Sequence, residues 1–191
     1  MLIRAFGKTF QKINIKKTNF QTIAFYSMEG KKDQYGRPIP NYDKYPAPIL
    51  AVDAIVLREN KQDKEYEILM CTRGIDPFKG SFVFPGGHVD YNEAPEKAVL
   101  RELKEEADLD GTSAELLTVK GDALRDPRKH VVTIAYLVKV PEDQIPKGGD
   151  DAADAKFYPL KDILKQRNNI GFDHIDILEC ALKKLNISVP Q

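Results

Sequence analysis

The sequence predicts an α/β protein in which a mixed β-sheet lies between helices. Short apolar segments with strand-like composition recur between residues 49 and 158, separated by polar or glycine-containing loops. Two segments of helical periodicity accompany them, one opening near Pro95 and one at residues 172–185. With 191 residues, 42% hydrophobic and 30% charged, the chain suits one globular domain with room for an extension.

The composition excludes several classes of protein. The formal net charge is zero, so no overall field attracts the chain to nucleic acid, and we expect no nucleic-acid partner. No apolar run reaches the roughly 18 residues of a membrane span, which predicts a chain without a transmembrane segment. The only cysteines, Cys71 and Cys180, are interpreted as reduced thiols, which indicates a cytoplasmic location.

Residues 1–45 are predicted to form an extension ahead of a domain that spans residues 46–188. Residues 1–28 contain one Arg and four Lys and no acid, and their spacing predicts a basic amphipathic helix. The apolar face is formed by Ile3, Phe6, Phe10 and Ile13, and the basic face by Arg4, Lys8, Lys12 and Lys16. Three interpretations stay open: a mitochondrial presequence, which the low Arg content weakens, a membrane-surface helix, or a helix packed on the domain or on a second subunit of a homodimer. A loop rich in Pro, Gly and Tyr connects this helix to the domain.

The elements of the domain follow in order from residue 49. The predicted strands are 49–57, 66–72, 81–84, 115–122, 130–140 and 155–158, and the last two helices are 160–166 and 172–185. Asp53 is a lone acid inside an apolar strand and is interpreted as a partner for a neighbouring backbone group. Pro85-Gly86-Gly87 permits a tight turn that aims a backbone carbonyl. The predicted buried side of the last helix consists of Ile175, Leu178, Ala181, Leu182 and Leu185.

Four carboxylates stand at fixed spacing in and before the central helix: Glu93, Glu102, Glu105 and Glu106. Asn92 is predicted to cap this helix and Pro95 to open it. At roughly 100° per residue, the last three glutamates share one arc, beside an apolar arc that should face the core. The apolar arc consists of Val99, Leu100, Leu103 and Ala107. No basic residue falls in the glutamate arc, so mutual repulsion predicts a bound cation, and oxygen ligands favour Mg²⁺ or Mn²⁺. The alternative is a solvated acidic face with partners four residues away.

This spacing resembles the Nudix box, a loop and helix with fixed Gly, Arg and Glu positions. The matching residues are Gly87, Glu93, Arg101, Glu102, Leu103, Glu105, Glu106 and Leu109. Asp108 stands where the family has Gly at a helix end with positive φ, and Asn92 also stands where Gly is common. Because Asp tolerates the left-handed region, we expect a strained but intact helix end. The resemblance covers residues from about 46 to 188 and implies the Nudix α/β/α sandwich with a mixed β-sheet between helices.

The resemblance also implies roles for individual residues. The implied metal ligands are Glu102, Glu106, Glu105 and the carbonyl of Gly86. Glu93 would pair with Arg101 and fix the loop against the helix. The general base is expected to be a box glutamate or a carboxylate on a later loop, where Asp150 and Asp151 stand. The candidate catalytic residues are therefore Glu93, Arg101, Glu102, Glu105 and Asp151.

Three segments outside the box resemble the ADP-ribose pyrophosphatase branch of this family. They are residues 73–80, Asp126-Pro127-Arg128 and Phe172-Asp173-His174. Arg128 is expected to grip a phosphate and Phe78 to stack on an adenine or line the pocket, with Arg73 as a further substrate-binding residue. His88 and His130 are interpreted as structural histidines, with contact to the substrate as the alternative, and His174 is interpreted as a helix-start residue.

The resulting expectation is an Mg²⁺-dependent enzyme that hydrolyses ADP-ribose to AMP and ribose 5-phosphate, with Mn²⁺ as an alternative metal. The alternative substrate is another nucleotide, either an oxidised nucleoside triphosphate or a dinucleotide. A DNA-binding regulator of this branch would need a winged helix after the domain, and only residues 183–191 follow the core of the last helix, so we do not expect one.

Overall fold

The computed structural model describes residues 47–149 and 152–188, which belong to one unit spanning residues 47–191. The predicted amphipathic helix, the connecting loop and the open interpretations of residues 1–45 lie outside the described residues, as do Asp150 and Asp151. None of the helices in the described ranges combines the length and the apolar character needed to cross a membrane.

Eight strands and three α-helices form the described part of the chain. The strands are β1 (Ile49–Ile55), β2 (Leu57–Glu59), β3 (Tyr66–Arg73), β4 (Phe82–Val83), β5 (Gly86–His88), β6 (Ser113–Lys120), β7 (Val131–Lys139) and β8 (Ala152–Pro159). The helices are α1 (Pro95–Ala107), α2 (Leu160–Lys165) and α3 (His174–Lys184), with a 3₁₀ turn at Arg167–Asn169.

The strands form two four-stranded sheets rather than one. The first has the order β5-β1-β7-β6, and the second has the order β2-β3-β4 with β8 also paired to β3. The β1–β7 pair is parallel, whereas β5 pairs antiparallel with β1, so the first sheet is mixed as predicted. The predicted strand 49–57 divides at Val56 because β1 belongs to the first sheet and β2 pairs with β3 of the second.

The hydrophobic core lies on both sides of the strands, which confirms the predicted α/β/α arrangement. Val52 and Ala54 of β1 pack in the cluster that contains α1, whereas Ile55 packs in the cluster that contains α2 and α3. In β3, Leu69 and Ile68 divide between the clusters in the same way. Successive side chains of a strand point to opposite faces, so each strand serves both layers of helices.

The central helix α1 differs from the prediction at its start and agrees with it at its end. Asn92 does not cap the helix: the N-cap is Ala94, which makes no side-chain capping bond, and Asn92 adopts φ 65° in the preceding turn. Pro95 is the first helical residue, as predicted. Asp108 has φ 54° and ψ 32°, and its N–H donates to the carbonyl of Lys104, so the helix ends intact without the family's glycine.

The buried side of α3 is rotated from the predicted one. His174 and Ile177 are buried, whereas Ile175 is half-buried and Leu185 is 44% exposed. The physical reason is that the helix begins at His174 and not at Phe172, which has φ 54°. Leu178, Ala181 and Leu182 are buried, in agreement with the prediction.

Candidate active site

A glycine turn brings β5 against the glutamates of α1. The N–H of Gly86 donates to Oε2 of Glu106 at 3.0 Å. A Cβ added at Gly87 would lie 2.4 Å from Oε1 of Glu102, and one at Gly86 would lie 2.2 Å from the carbonyl oxygen of Val52. No side chain fits at either position, so the two glycines are what allows the backbone to approach the carboxylates.

Arg101 contacts three of the four box glutamates. Its Nε and Nη2 donate to the two carboxylate oxygens of Glu93, each at 2.9 Å. Its Nη1 donates to Oε1 of Glu102 at 2.8 Å and to Oε2 of Glu105 at 3.0 Å. Hydrogen bonds from Arg101 lower the pKa of Glu93 to about 2, and the same pair raises the pKa of the guanidinium.

This contact corrects the expectation that no basic residue stands among the glutamates. The helical wheel places the Cα of Arg101 outside the glutamate arc, but its long side chain reaches back across the helix surface. The repulsion is therefore compensated in part within the protein. Glu102 remains the buried member of the group, at 9% exposure, and burial raises its pKa while Arg101 opposes that effect.

The donor chemistry of this surface fits a divalent cation. Glu102, Glu105 and Glu106 carry carboxylates on one side of α1, and Glu106 contacts Gly86. The atoms that these residues offer to a cation are all oxygen. Within residues 47–149 and 152–188, no three acidic, His or Cys side chains already converge as a ligand cage. One reason is that Nη1 of Arg101 bridges Glu102 and Glu105, so a cation would compete with the guanidinium for them.

A cleft opens beside the glutamates. Its lining includes the carboxylates of Asp53, Glu106 and Asp126 and the guanidinium groups of Arg73, Arg125 and Arg128. Gly86, Gly87, His88 and Phe172 are among the other lining residues. Carboxylates and guanidinium groups thus share one opening, which suits an anionic ligand that also carries a metal ion. Burial lowers the pKa of His88, helped by Lys129 and Arg128.

Arg128 lines the cleft while pairing with Asp126. Its Nε and Nη2 donate to Oδ1 at 3.0 Å and Oδ2 at 2.7 Å, and its backbone N–H donates to Oδ1 at 2.9 Å. The Asp126 side chain is 3% exposed and that of Arg128 is 41% exposed. Hydrogen bonding from Arg128 lowers the pKa of Asp126. A buried carboxylate therefore orients a guanidinium that solvent and ligand can reach.

The first predicted substrate segment, residues 73–80, packs against Phe172, which precedes α3. The ring of Phe78 packs on that of Phe172, with centroids 4.7 Å apart, and both residues have positive φ, at 66° and 54°. Arg73 donates from Nε to the carbonyl of Pro77 at 2.6 Å and lies 5.2 Å from the Phe172 ring. Phe172, rather than Phe78, lines the cleft, and its place there was not predicted from the sequence.

A buried polar group beneath the cleft was also missed. Asp53, Thr133 and His174 are each less than a tenth exposed, and Thr133 Oγ1 donates to Oδ2 of Asp53 at 2.7 Å. Beside them, Arg125 forms an ion pair with Asp173 and is 5% exposed. The only signal in the sequence was the lone Asp53 in an apolar strand. His130, by contrast, contacts the carbonyl of Gly121 and is absent from this group.

Comparison with known proteins assigns the family. A model of the NUDIX domain matches residues 47–179. The chain belongs to the Nudix family. It is 36% identical over 184 residues to an ADP-ribose pyrophosphatase of Methanocaldococcus jannaschii, which covers 96% of this chain and 91% of that protein.

Two further relatives of this Nudix protein bear on its ligand. It is 28% identical over 144 residues to an ADPR responsive transcriptional repressor NtrR of Acinetobacter baylyi, covering 74% of this chain and 56% of that protein. The NUDIX domain of Shewanella oneidensis NrtR complexed with ADP ribose is 30% identical, with a TM-score of 0.69, and covers 76% of this chain and 94% of that one. Together with the family match, the pyrophosphatase relative identifies the chain as a Nudix hydrolase.

The structure of this Nudix hydrolase brings most predicted site residues to one place. Gly86, Glu106, Arg73 and Arg128 line one cleft. Glu106 lies on the helix that also carries Arg101, Glu102 and Glu105, and Glu93 is joined to that helix through Arg101. Asp151 lies outside the described residues. The loop before it is tied to the end of α1, because the N–H groups of Lys147 and Gly149 donate to the carbonyls of Ala107 and Glu106 at 2.9 and 3.2 Å.

Proposed function

We propose that this Nudix hydrolase cleaves a nucleoside diphosphate-sugar, with ADP-ribose as the substrate. ADP-ribose and water give AMP and ribose 5-phosphate. The observation that carries the proposal is one cleft lined by Glu106, Gly86 and Arg128, whose guanidinium is held by the buried Asp126. A diphosphate needs both a cation and fixed guanidinium donors to offset its charge. The pyrophosphatase relative, 36% identical over nearly the whole chain, supports the same substrate.

The reaction is proposed to need Mg²⁺, with Mn²⁺ as the alternative. Glu102, Glu105, Glu106 and the carbonyl of Gly86 would hold it. The ion, when bound, neutralises the diphosphate and lowers the pKa of a bound water. The rest of the site is supplied by the chain. Arg101 holds Glu93 of the preceding loop against α1. Its hydrogen bonds to Glu102 and Glu105 would have to break for the ion to bind there.

The substrate is proposed to lie across the cleft from the glutamates. Arg128 offers a planar fork for two phosphate oxygens, and Asp126 fixes the direction of that fork. Arg73 and the Phe78–Phe172 pair are proposed to bind the adenosine part, because aromatic rings and a guanidinium provide flat surfaces for a base. The base that activates water is proposed to be Glu105 or Asp151.

The wider setting of the enzyme is part of the proposal. We place it in the cytoplasm, as a homodimer in which residues 1–45 take part, with no nucleic-acid partner. Its zero net charge offers no general attraction to DNA. The ADPR responsive repressor relative supplies the competing function, a sensor that responds to ADP-ribose.

The test is a panel of substrates with Mg²⁺. ADP-ribose, other nucleoside diphosphate sugars, a dinucleotide and an oxidised nucleoside triphosphate are incubated with the full chain, and a coupled phosphatase reports the phosphomonoesters released. We expect the highest kcat/KM with ADP-ribose and no release when EDTA is present. A higher kcat/KM for the triphosphate refutes the substrate assignment. Tight binding of ADP-ribose by calorimetry without any turnover identifies the sensor instead.

A further inference from the structure

His174 lies under the turn that carries Gly86. It is the first residue of α3 and is 4% exposed. Its Nδ1 accepts the N–H of Phe84 at 3.0 Å, and its ring stacks on that of Phe84 with centroids 5.1 Å apart and planes 15° apart. A backbone N–H always donates, so Nδ1 carries no proton in this contact and Nε2 faces Asp53, whose Oδ1 is 3.5 Å away.

The turn is held from two directions. On one side, the N–H of Ala54 donates to the carbonyl of Pro85 at 2.8 Å, and the Asp53 carboxylate lies so close that a Cβ on Gly86 would be 2.8 Å from Oδ1. On the other side, the N–H of Gly86 donates to Glu106. Phe84, two residues before Gly86, is fixed by His174. α3 therefore contacts the segment that leads into Gly86, through one hydrogen bond and one ring contact at Phe84.

His174 is itself fixed by neighbours from three elements. Asp53 of β1 is held by Thr133 of β7. Asp173, immediately before the histidine, accepts from Nε and Nη2 of Arg125, at 3.0 and 2.5 Å. Among the described residues no buried side-chain nitrogen or oxygen is left without a partner, so the buried polar atoms of this group are all satisfied.

We propose that His174 is a positioning residue for the cation site, acting through the Phe84 N–H on the turn that presents Gly86 to Glu106. The inference rests on the proposed metal-dependent function. In this proposal the imidazole acts through the Phe84 N–H and is not itself a ligand of the cation. Loss of the imidazole would let the turn move and so reorient the Gly86 carbonyl, a proposed ligand of the cation. Loss of a residue that orients a metal ligand changes metal affinity by roughly 10-fold to 100-fold.

Four variants separate positioning from folding. His174→Phe keeps an aromatic ring against Phe84 and removes the acceptor. His174→Asn keeps an oxygen close to the position of Nδ1, whereas His174→Gln carries the same amide one carbon farther out, towards Asp53. Asp176→Asn is the matched control, because Asp176 is on the same helix and makes only a 4.0 Å surface contact with Lys120.

The measurement is Mn²⁺ binding to the full chain without substrate, by the EPR signal of free Mn²⁺, together with hydrogen exchange of the Phe84 amide. We expect His174→Phe and His174→Gln to weaken Mn²⁺ binding by about tenfold or more and to speed exchange at Phe84. We expect His174→Asn to stay within about threefold of the parent, with slow exchange, and Asp176→Asn to match the parent.

Each outcome decides one claim. A folded His174→Phe that binds Mn²⁺ as the parent does overturns the inference, and so does a His174→Asn as weak as His174→Gln. If His174→Phe fails to fold, the comparison of the Asn and Gln variants decides, since both carry an amide. A parent chain that binds no Mn²⁺ refutes the metal assignment in the proposed function and the inference with it, before any variant is compared.

Discussion

Arg101 and Glu93 are joined by two hydrogen bonds of 2.9 Å, one from Nε and one from Nη2. Glu93 also accepts the N–H of Asp90 at 3.0 Å, so one carboxylate ties the loop before α1 to the middle of the helix. The guanidinium has one nitrogen left, Nη1, and it contacts Glu102 and Glu105. The box thus contains its own cation, placed where the proposed metal ion would compete with it.

Glu93→Gln is expected to lower the melting temperature at pH 7. The pKa of Glu93 is lowered to about 2 by Arg101, from an ordinary value of 4.5. A carboxylate with a depressed folded pKa stabilises the folded state above its unfolded pKa and loses that contribution as the pH falls. The difference in melting temperature between parent and variant should therefore be largest above pH 4.5 and should shrink towards pH 2. Thermal unfolding across this range measures it.

The control for this series is Asp143→Asn, which removes a negative charge at an exposed loop position. A parallel shift in both variants would attribute the effect to net charge rather than to the Arg101 pair. A Glu93→Gln melting temperature equal to that of the parent at pH 7 would contradict the assigned contact.

Arg128→Lys is expected to weaken ADP-ribose turnover. Lys cannot reproduce the planar fork, and the loss of a charge-assisted bond costs roughly 1–3 kcal/mol, or about 5-fold to 150-fold in kcat/KM. The matched control is Arg167→Lys, an exposed arginine that pairs with Glu179 outside the cleft lining. Kinetics on ADP-ribose and on a nucleoside triphosphate check the effect. Equal kcat/KM for Arg128→Lys and the parent on ADP-ribose would show that the pair with Asp126 is only structural.

Asp126→Asn is expected to raise the KM for ADP-ribose and to destabilise the fold. The amide keeps an acceptor but loses the charge that holds Arg128, a loss of roughly 1–3 kcal/mol. Because Arg128 lowers the Asp126 pKa, this stabilisation is present above the ordinary value of 3.8 and is lost as the pH falls through the folded pKa. Urea unfolding at pH 7 and below pH 3.8 measures the difference in the free energy of unfolding between the parent and Asp126→Asn. This difference should shrink in acid, and a difference that widens in acid would refute the assignment.

The homodimer prediction rests on the apolar face that the sequence gives residues 1–28. Light scattering of the full chain is expected to give twice the monomer mass of 21.6 kDa. Deletion of residues 1–45 is the comparison and should reduce the mass to that of one chain. A monomeric full chain in which this segment is rapidly proteolysed would contradict the prediction.

Features set by neighbouring residues were predictable from the sequence. Pro95 opens α1 because its ring fits a first turn, and Asp108 ends it because a short polar side chain tolerates positive φ. The near-continuous apolar runs of β1 and β3 were sufficient to place strands that are covered by helices on both faces. The Nudix-box spacing placed three glutamates on α1, of which Glu106 lines the cleft.

Contacts between distant residues were not predictable in the same way. His174 bonds an amide 90 residues away, and Thr133 bonds a carboxylate 80 residues away, so no local pattern contains either contact. Arg101 was misjudged because a helical wheel locates Cα atoms and not the ends of long side chains. The start of α3 was misplaced because Phe172 adopts a left-handed backbone that its residue type does not indicate.

The central claim is that a cation held at Glu102, Glu105 and Glu106 drives hydrolysis of ADP-ribose. Glu106→Gln tests it most directly, because the amide can still accept the N–H of Gly86 while the negative charge is removed. With saturating ADP-ribose and Mg²⁺, kcat should fall by about 100-fold or more while the melting temperature stays near that of the parent. A kcat within about threefold of the parent would contradict the account.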